Sequence, residues 1–234
     1  MKGEIEICDL SFAYPGGRWA LRSVSLAVAG AERVALLGAN GAGKSTLLLH
    51  LNGLLRGRGR LRIGELWVQG SVLPEIRRRV GLVFQDPDDQ LFCSTVEEDV
   101  AFGPRYLGRP EDEIRGRTDR ALQLVGIDHL RGRAPFEMSE GEKKLAALAT
   151  VLSMDPDILA LDEPTAFLDG RSRRRLIEVL GRLSQTMVVA THDLGLASCL
   201  LPRAVVLHEG TVVADGLSEQ ILDDEDLLLK CGLI

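Results

Sequence analysis

Gly38-Ala39-Asn40-Gly41-Ala42-Gly43-Lys44-Ser45 decides the fold. The stretch satisfies G-x-x-x-x-G-K-[ST] in full, after a short apolar run at 33–37 and ahead of an apolar helical stripe at 47–51. Strand, glycine loop and helix in that order are the parts of a phosphate cradle. Glycines let the backbone curl so that successive N–H groups point at phosphate oxygens, beside the positive end of a helix. Lys44, expected to be partly exposed, is placed to reach the β and γ phosphates, and the Ser45 hydroxyl to ligate Mg²⁺.

Outward from that loop, residues 3–10 and 21–28 alternate in part and read as strands, as do 63–68 and 79–84. Past Gln85 the texture turns helical, over 95–102, 111–125 and 141–152, with Pro104, Pro110 and Pro135 as interruptions. Strands return at 158–161, 187–190 and 204–207, with a helix over 171–183 between the first two. Residues 217–221 and 225–229 read as short closing helices. Such alternation predicts an α/β fold, a mainly parallel sheet covered by helices, with the helical block from about 86 to 154 inserted into it.

A chain of 234 residues can form one sizeable α/β domain or two small ones. Lys plus Arg is 28 against 34 for Asp plus Glu, a net charge of −6 that argues against a general nucleic-acid binder. Hydrophobic residues at 45% and charged residues at 26% exclude bulk disorder. No apolar stretch approaches the roughly 18 residues of a membrane span. Glu4, Glu6 and Asp9 break any leader-like apolar core after Met1. Cys8, Cys93, Cys199 and Cys231 are far apart and read as reduced thiols of a cytosolic protein.

Four further segments carry chemistry. Ile158-Leu159-Ala160-Leu161-Asp162-Glu163-Pro164 is a buried strand ending in two carboxylates, and neighbouring side chains on an extended chain diverge. The pair therefore divides its work: Asp162 supports Mg²⁺ through its water shell and Glu163 polarises the attacking water. Thr191-His192-Asp193 follows another apolar strand, and His192 there has two readings, a group that contacts the γ-phosphate or orders the water, and a merely structural or exposed histidine. Gln85, an amide able to donate and accept, stands at a strand end where metal or water is within its reach. Ser139-Glu140-Gly141-Glu142 opens an apolar-periodic helix; Ser139 and Glu142 fit a capping box, and the same helix start could instead grip phosphate. The two readings compete for Ser139.

With these residues in this order, the chain resembles the ATP-binding subunit of an ABC transporter from about residue 5 to 221. The resemblance implies a P-loop NTPase core with a mainly parallel sheet, an antiparallel N-terminal β region and an inserted helical subdomain, in one domain over 4–234. It implies Mg²⁺-dependent ATP hydrolysis. Gly38, Asn40, Gly41, Ala42, Gly43, Lys44, Ser45 and Thr46 then belong to the phosphate loop and Gln85 to the Q-loop. Ser45, Gln85 and Asp162 attend the metal, while Glu163, Gln85 and His192, the switch histidine, serve catalysis. Asp169 lies in the D-loop. Tyr14 matches the aromatic that stacks on adenine, the alternative being a sheet-packing tyrosine.

The family's signature, usually LSGGQ or LSGGE, here reads Met138-Ser139-Glu140-Gly141-Glu142. Ser139 and Gly141 are kept as nucleotide contacts. Glu140 replaces the first glycine, and Leu145 stands where arginine is common. In this family the signature of one ATPase faces the phosphate loop of another, so the resemblance implies a second ATPase subunit, as a homodimer. Glu140 then either sets a carboxylate near a polyanion or faces solvent. Asp89-Gln90-Leu91-Phe92 and residues 95–103 resemble the ATPases of energy-coupling-factor importers and their cobalt and nickel relatives. Gln90, Leu91 and Phe92 lie where that family meets integral membrane subunits, and the Leu91-Phe92 pair suits either a docking groove or a packed helix-loop junction. Because the chain stops soon after Leu229, it looks most similar to the compact cobalt or nickel ATPases. The expectation is a peripheral subunit at the cytoplasmic face of the membrane that powers cobalt or nickel import, without nucleic acid as a partner. A vitamin-importer ATPase and a catalytically weak regulatory subunit are the alternatives. None of the four scattered histidines is expected to bind the transported ion.

Overall fold

In the computed structural model, which describes residues 3–234, the apolar run at 33–37 is an interior strand with Val34, Ala35, Leu36 and Leu37 shut off from solvent. The chain forms two compact units. One takes the residues up to Leu82, Asp157–Glu163 and Ser184–Ile234; the other takes Val83–Pro156 and Pro164–Leu183.

The first unit holds two sheets. β1 (Ile5–Ala13), β2 (Trp19–Val28), β4 (Arg58–Ile63) and β5 (Leu66–Trp67) form an antiparallel sheet in the order β2-β1-β4-β5. A continuous strand at 63–68 is not what forms there. Gly64 takes a positive φ of 57°, a conformation open to glycine, and the chain reverses into a hairpin at that point. The six-stranded sheet adds β3 (Arg33–Leu37), β6 (Val80–Val83), β7 (Ile158–Asp162), β8 (Thr186–Thr191), β9 (Arg203–His208) and β10 (Thr211–Leu217), in the order β10-β9-β3-β8-β7-β6. β9, β3, β8 and β7 run parallel, and β10 turns back antiparallel on β9. β3, β7 and β8 are almost continuously apolar, as strands covered on both faces must be. β10 has alternating exposure and small polar residues, which hides it from a search for apolar runs.

Register positions the site. Leu37 pairs with Thr191 and Asp162 with Ala190, so β3, β7 and β8 end side by side at one edge of the sheet. Open parallel sheets place their ligands at the carboxyl ends of strands. Here α1 (Lys44–Leu51) leaves that edge directly after β3. The unit is completed by α2 (Leu73–Arg79), α7 (Leu194–Leu200), α8 (Ser218–Leu222) and α9 (Glu225–Lys230).

The second unit is built on α3 (Val96–Tyr106), α4 (Glu111–Val125), α5 (Glu140–Leu152) and α6 (Gly170–Gly181). Pro104 was expected to stop α3 near residue 102, yet the helix runs on to Tyr106. Proline removes the N–H that would pair with the Val100 carbonyl. The Ser153 hydroxyl donates to that carbonyl instead, at 2.8 Å. Among the described residues, no helix is long and apolar enough to cross a membrane.

Candidate functional site

The glycine loop wraps the sheet edge where β3 ends. Gly43 has φ +109° and caps α1; a side chain on it would strike the Ala20 carbonyl, so the position admits little else. A side chain on Gly38 would collide with the Leu207 carbonyl and Ala42. Asn40, Gly41 and Ser45 are exposed, whereas Ala42 and Thr46 are buried. No side chain caps the start of α1, and its first turn carries no acidic residue. The positive end of the helix is thus left for an external anion.

Lys44 is buried, with 6% of its surface exposed, which corrects the expectation of a partly exposed lysine. Its ammonium folds back over the loop. Nζ donates to the Gly38 carbonyl at 2.6 Å and to that of Ala39 at 3.4 Å, and stands 3.3 Å from Glu163 Oε1. These partners satisfy a charge that could not otherwise be held out of water.

Glu163 closes the arrangement from β7. Its backbone N–H donates to the Ala190 carbonyl at 2.8 Å and its φ is +42°, which swings the side chain off the strand direction taken by Asp162. Glu163 Oε2 lies 3.0 Å from His192 Nδ1 and accepts from the His192 backbone N–H at 3.3 Å. One buried carboxylate therefore joins the loop lysine to the histidine after β8. Asp162, at 9% exposure, occupies the end of β7.

These residues suit a nucleoside triphosphate and Mg²⁺. Glycine is imposed at 38 and 43 by the Leu207 and Ala20 carbonyls that crowd them, and the uncapped helix start with its lysine suits an anion. Ser45 and Asp162 offer hard oxygen donors. Among the described residues no cluster of three or more His, Cys, Asp or Glu could hold a metal on its own. Mg²⁺ is ordinarily bound by one or two protein groups together with substrate phosphates.

The family model described as ABC transporter matches residues 21–166. The chain belongs to the ABC transporter family. It is an ATP-binding, ATP-hydrolysing subunit of that family. The energy-coupling factor transporter ATP-binding protein EcfA of Carboxydothermus hydrogenoformans is 48% identical over 233 residues, covering 98% of this chain and 86% of its own. Among solved structures, CbiO1 from Clostridium perfringens, part of the ABC transporter complex CbiONQ, superposes with a TM-score of 0.86 at 35% identity, over 100% of this chain and 96% of that one. The ATP-binding cassette MJ0796, solved as a dimer bound to ADP and Pi, gives 0.83 at 26% identity over 92% and 98%.

The helical unit of this ABC ATPase carries the remaining candidates. Gln85 is exposed, and its carbonyl accepts from the buried Lys144 ammonium at 3.0 Å. Lys143 grips Asp88 at 2.7 and 2.9 Å. The two lysines thus moor the 85–88 loop to α5, a role no spacing rule announces. Ser139 forms the capping box: its hydroxyl donates to Glu142 Oε2 at 2.8 Å, its backbone N–H to the same oxygen at 2.9 Å, and it accepts from the Glu142 N–H. Both Ser139 donors hold the Glu142 carboxyl below the usual carboxylate range. Gly141 is buried where a side chain would hit Ser172, and Glu140 is half-buried. Asp169 caps α6 through the N–H groups of Arg171 and Ser172.

Gln90 and Leu91, near which docking is expected, are held within the helical unit. Leu91 is buried, and the Gln90 amide is spent internally, donating to the Ala147 carbonyl and Thr150 hydroxyl and accepting from the Phe84 N–H. Phe92 is the exposed member. It stacks edge-on against Phe102, which lies over Tyr106 one helical turn further on. Buried Asp99 accepts from the Phe92 and Cys93 N–H groups, both at 3.0 Å, and so fixes the turn that presents Phe92. Aromatics at 102 and 106, spaced i and i+4 on one face, were the available signal for this ladder. Arg18 also escaped the sequence reading. Its guanidinium lies 3.2 Å from where a side chain on Gly41 would begin, at the exposed lip of the phosphate loop.

Proposed function

We propose that this ATPase powers import of a transition-metal ion, cobalt or nickel, by pairing with a second copy of itself and docking beneath integral membrane subunits at the cytoplasmic face. The observation that carries this reading is the match over the whole chain to CbiO1, a part of the complex CbiONQ. The dimer reading is supported by MJ0796, a cassette solved as a dimer. Docking is assigned to Phe92, Phe102 and Tyr106, three aromatics exposed on one unit with little reason to face water.

In the proposed cycle, the loop N–H groups and Lys44 bind the phosphates, Tyr14 takes the base, and Glu163 accepts a proton from the attacking water. Bound Mg²⁺, held by Ser45 and Asp162, would supply charge neutralisation at the phosphates. Lys44 must first leave Gly38 and Glu163, which frees Glu163 Oε1 at the moment substrate arrives. His192, 3.0 Å from the other carboxylate oxygen, orients the base. Ser139 and Gly141 meet the nucleotide of the paired copy, with Ser139 exchanging Glu142 for phosphate. Asp169 keeps the start of α6 rigid beside them.

A second reading, vitamin import, is favoured by the 48% identity to EcfA. The test is uptake. The native membrane complex is purified through this subunit, placed in proteoliposomes, and supplied with ATP and labelled Co²⁺, Ni²⁺ or vitamins. ATP-dependent Co²⁺ or Ni²⁺ accumulation that vanishes with Glu163→Gln is expected. Vitamin uptake without metal uptake would replace the first reading by the second.

A further inference from the structure

His50 is a buried titratable group to which the hydrolytic chemistry assigns no task. It lies on α1 at 2% exposure, and its Nδ1 is 2.7 Å from the Thr46 carbonyl. A carbonyl only accepts, so Nδ1 carries the proton and Nε2 is a bare acceptor. That Nε2 is buried without a hydrogen-bond partner among the described residues. Burial pushes the imidazole pKa down and keeps it neutral near pH 7. A leucine here would avoid the orphaned nitrogen, so the ring needs a different justification.

Its neighbours supply one. The His50 ring meets Phe12 edge-on, with centroids 5.0 Å apart and planes at 76°. Phe12 meets Tyr14 edge-on in turn, at 5.0 Å and 84°. The Tyr14 hydroxyl is 3.1 Å from Thr46 Oγ1, on the same residue whose carbonyl holds His50. Four residues thus close a circuit, His50 to Phe12 to Tyr14 to the Thr46 hydroxyl and, through the Thr46 backbone carbonyl, back to His50. Two of its members stand on α1 within the first two turns after the phosphate loop. Tyr14 itself is 40% exposed, and its backbone is pinned by the Tyr14 N–H donating to the Arg18 carbonyl at 3.0 Å. An exposed tyrosine with free χ angles would lose rotamer freedom on stacking against a base; this one has already lost it.

We propose that His50 is a positioning residue for the base of ATP: through Thr46 and Phe12 it locks Tyr14 as a preset stacking platform on the helix that carries the phosphate site. The inference rests on the reading of Tyr14 as the base platform. It goes beyond that reading in making the base contribution depend on a buried histidine and on the tyrosine hydroxyl, neither of which touches nucleotide.

The experiment compares the affinity for ATP with that for inorganic tripolyphosphate, which has the phosphates and lacks the base. Wild type, Tyr14→Ala, Tyr14→Phe and His50→Leu are measured by calorimetry in Mg²⁺. Removing the ring in Tyr14→Ala should cut the ATP-to-tripolyphosphate ratio by about tenfold or more, the scale of one base stacked on one aromatic. Tyr14→Phe and His50→Leu should each lose about three- to tenfold of that ratio, with tripolyphosphate affinity kept within about twofold. A merely structural defect would weaken both ligands together. Tyr14→Phe removes only the hydroxyl that meets Thr46 Oγ1 and keeps the test alive should His50→Leu fail to fold. Ratios equal to wild type in Tyr14→Phe and His50→Leu, with the loss confined to Tyr14→Ala, would overturn the positioning role and leave the platform standing. An unchanged ratio in Tyr14→Ala would overturn the platform, and the inference with it.

Discussion

In the proposed cycle, Glu163→Gln should tighten nucleotide binding while it abolishes turnover, because the carboxylate restrains the lysine assigned to the phosphates. Lys44 Nζ and Glu163 Oε1 are 3.3 Å apart with both side chains at 6% exposure, so solvent screens the pair weakly. At an effective dielectric of about 20, two charges at that distance attract by about 5 kcal/mol before desolvation is counted. Desolvation of both groups removes most of this, and the residue is about 1.5–3 kcal/mol, as for other hydrogen bonds to charged groups. Nucleotide must disrupt that contact in the wild type and a weaker one in the variant. Affinity for ADP and ATP should therefore rise by about ten- to a hundredfold, and the nucleotide-free variant should unfold more easily by a similar free energy. ADP separates the latch from simple repulsion, since it lacks the γ-phosphate that Glu163 would face. Calorimetric titration with ADP and denaturant unfolding without nucleotide are the two measurements. Unchanged ADP affinity together with unchanged stability would show that the ion pair restrains nothing.

Three more outcomes can be checked. Phe92→Ser should weaken recovery of the membrane subunits in a pull-down by about tenfold or more, since the ring is 67% exposed and offers roughly 2–3 kcal/mol of apolar transfer; Leu91→Ser should instead lower the melting temperature, because Leu91 is buried. Acid should cost stability through His50: its folded pKa is lowered from 6.5 by burial, so the unfolded chain binds the proton more readily, and stability present above about pH 6.5 is lost as pH falls through the folded value. Urea unfolding followed from pH 7.5 down to 5 should show a shallower decline in His50→Leu than in wild type. Glu140→Gly should strengthen ATP-driven pairing by about 0.5–2 kcal/mol at low salt and by less at high salt, read by light scattering, and equal pairing at both salts would mean the carboxylate faces solvent.

What the sequence discloses depends on whether a residue's role is local. The cradle is legible because its glycines, Lys44 and Ser45 are adjacent, and the need for each follows from backbone curvature and charge. Glu163 and His192 are legible as strand-end residues, and the parallel register then brings them together. The burial of Lys44 is not legible, because it depends on a carboxylate far away in the chain. Leu91 and Phe92 look alike in sequence; only the Asp99 clamp on the backbone after Leu91 decides which of them faces out. The 58–67 hairpin hides because its turn rests on a single glycine, Gly64, and β10 because its alternating exposure resembles a loop. Pro104 misled in the opposite sense, since the hydroxyl that relieves it comes from Ser153.

That hydroxyl makes α5 a lever. The helix has 13 residues and so is about 20 Å long. At its far end Ser153 holds α3 through the Val100 carbonyl, and just before it Ala147 and Thr150 hold the Gln90 amide next to Leu91 and Phe92. At its near end stands Ser139. Both roots of the aromatic ladder are therefore tethered to one rod whose opposite tip is the signature. The two aromatics thus share one support rather than two independent ones.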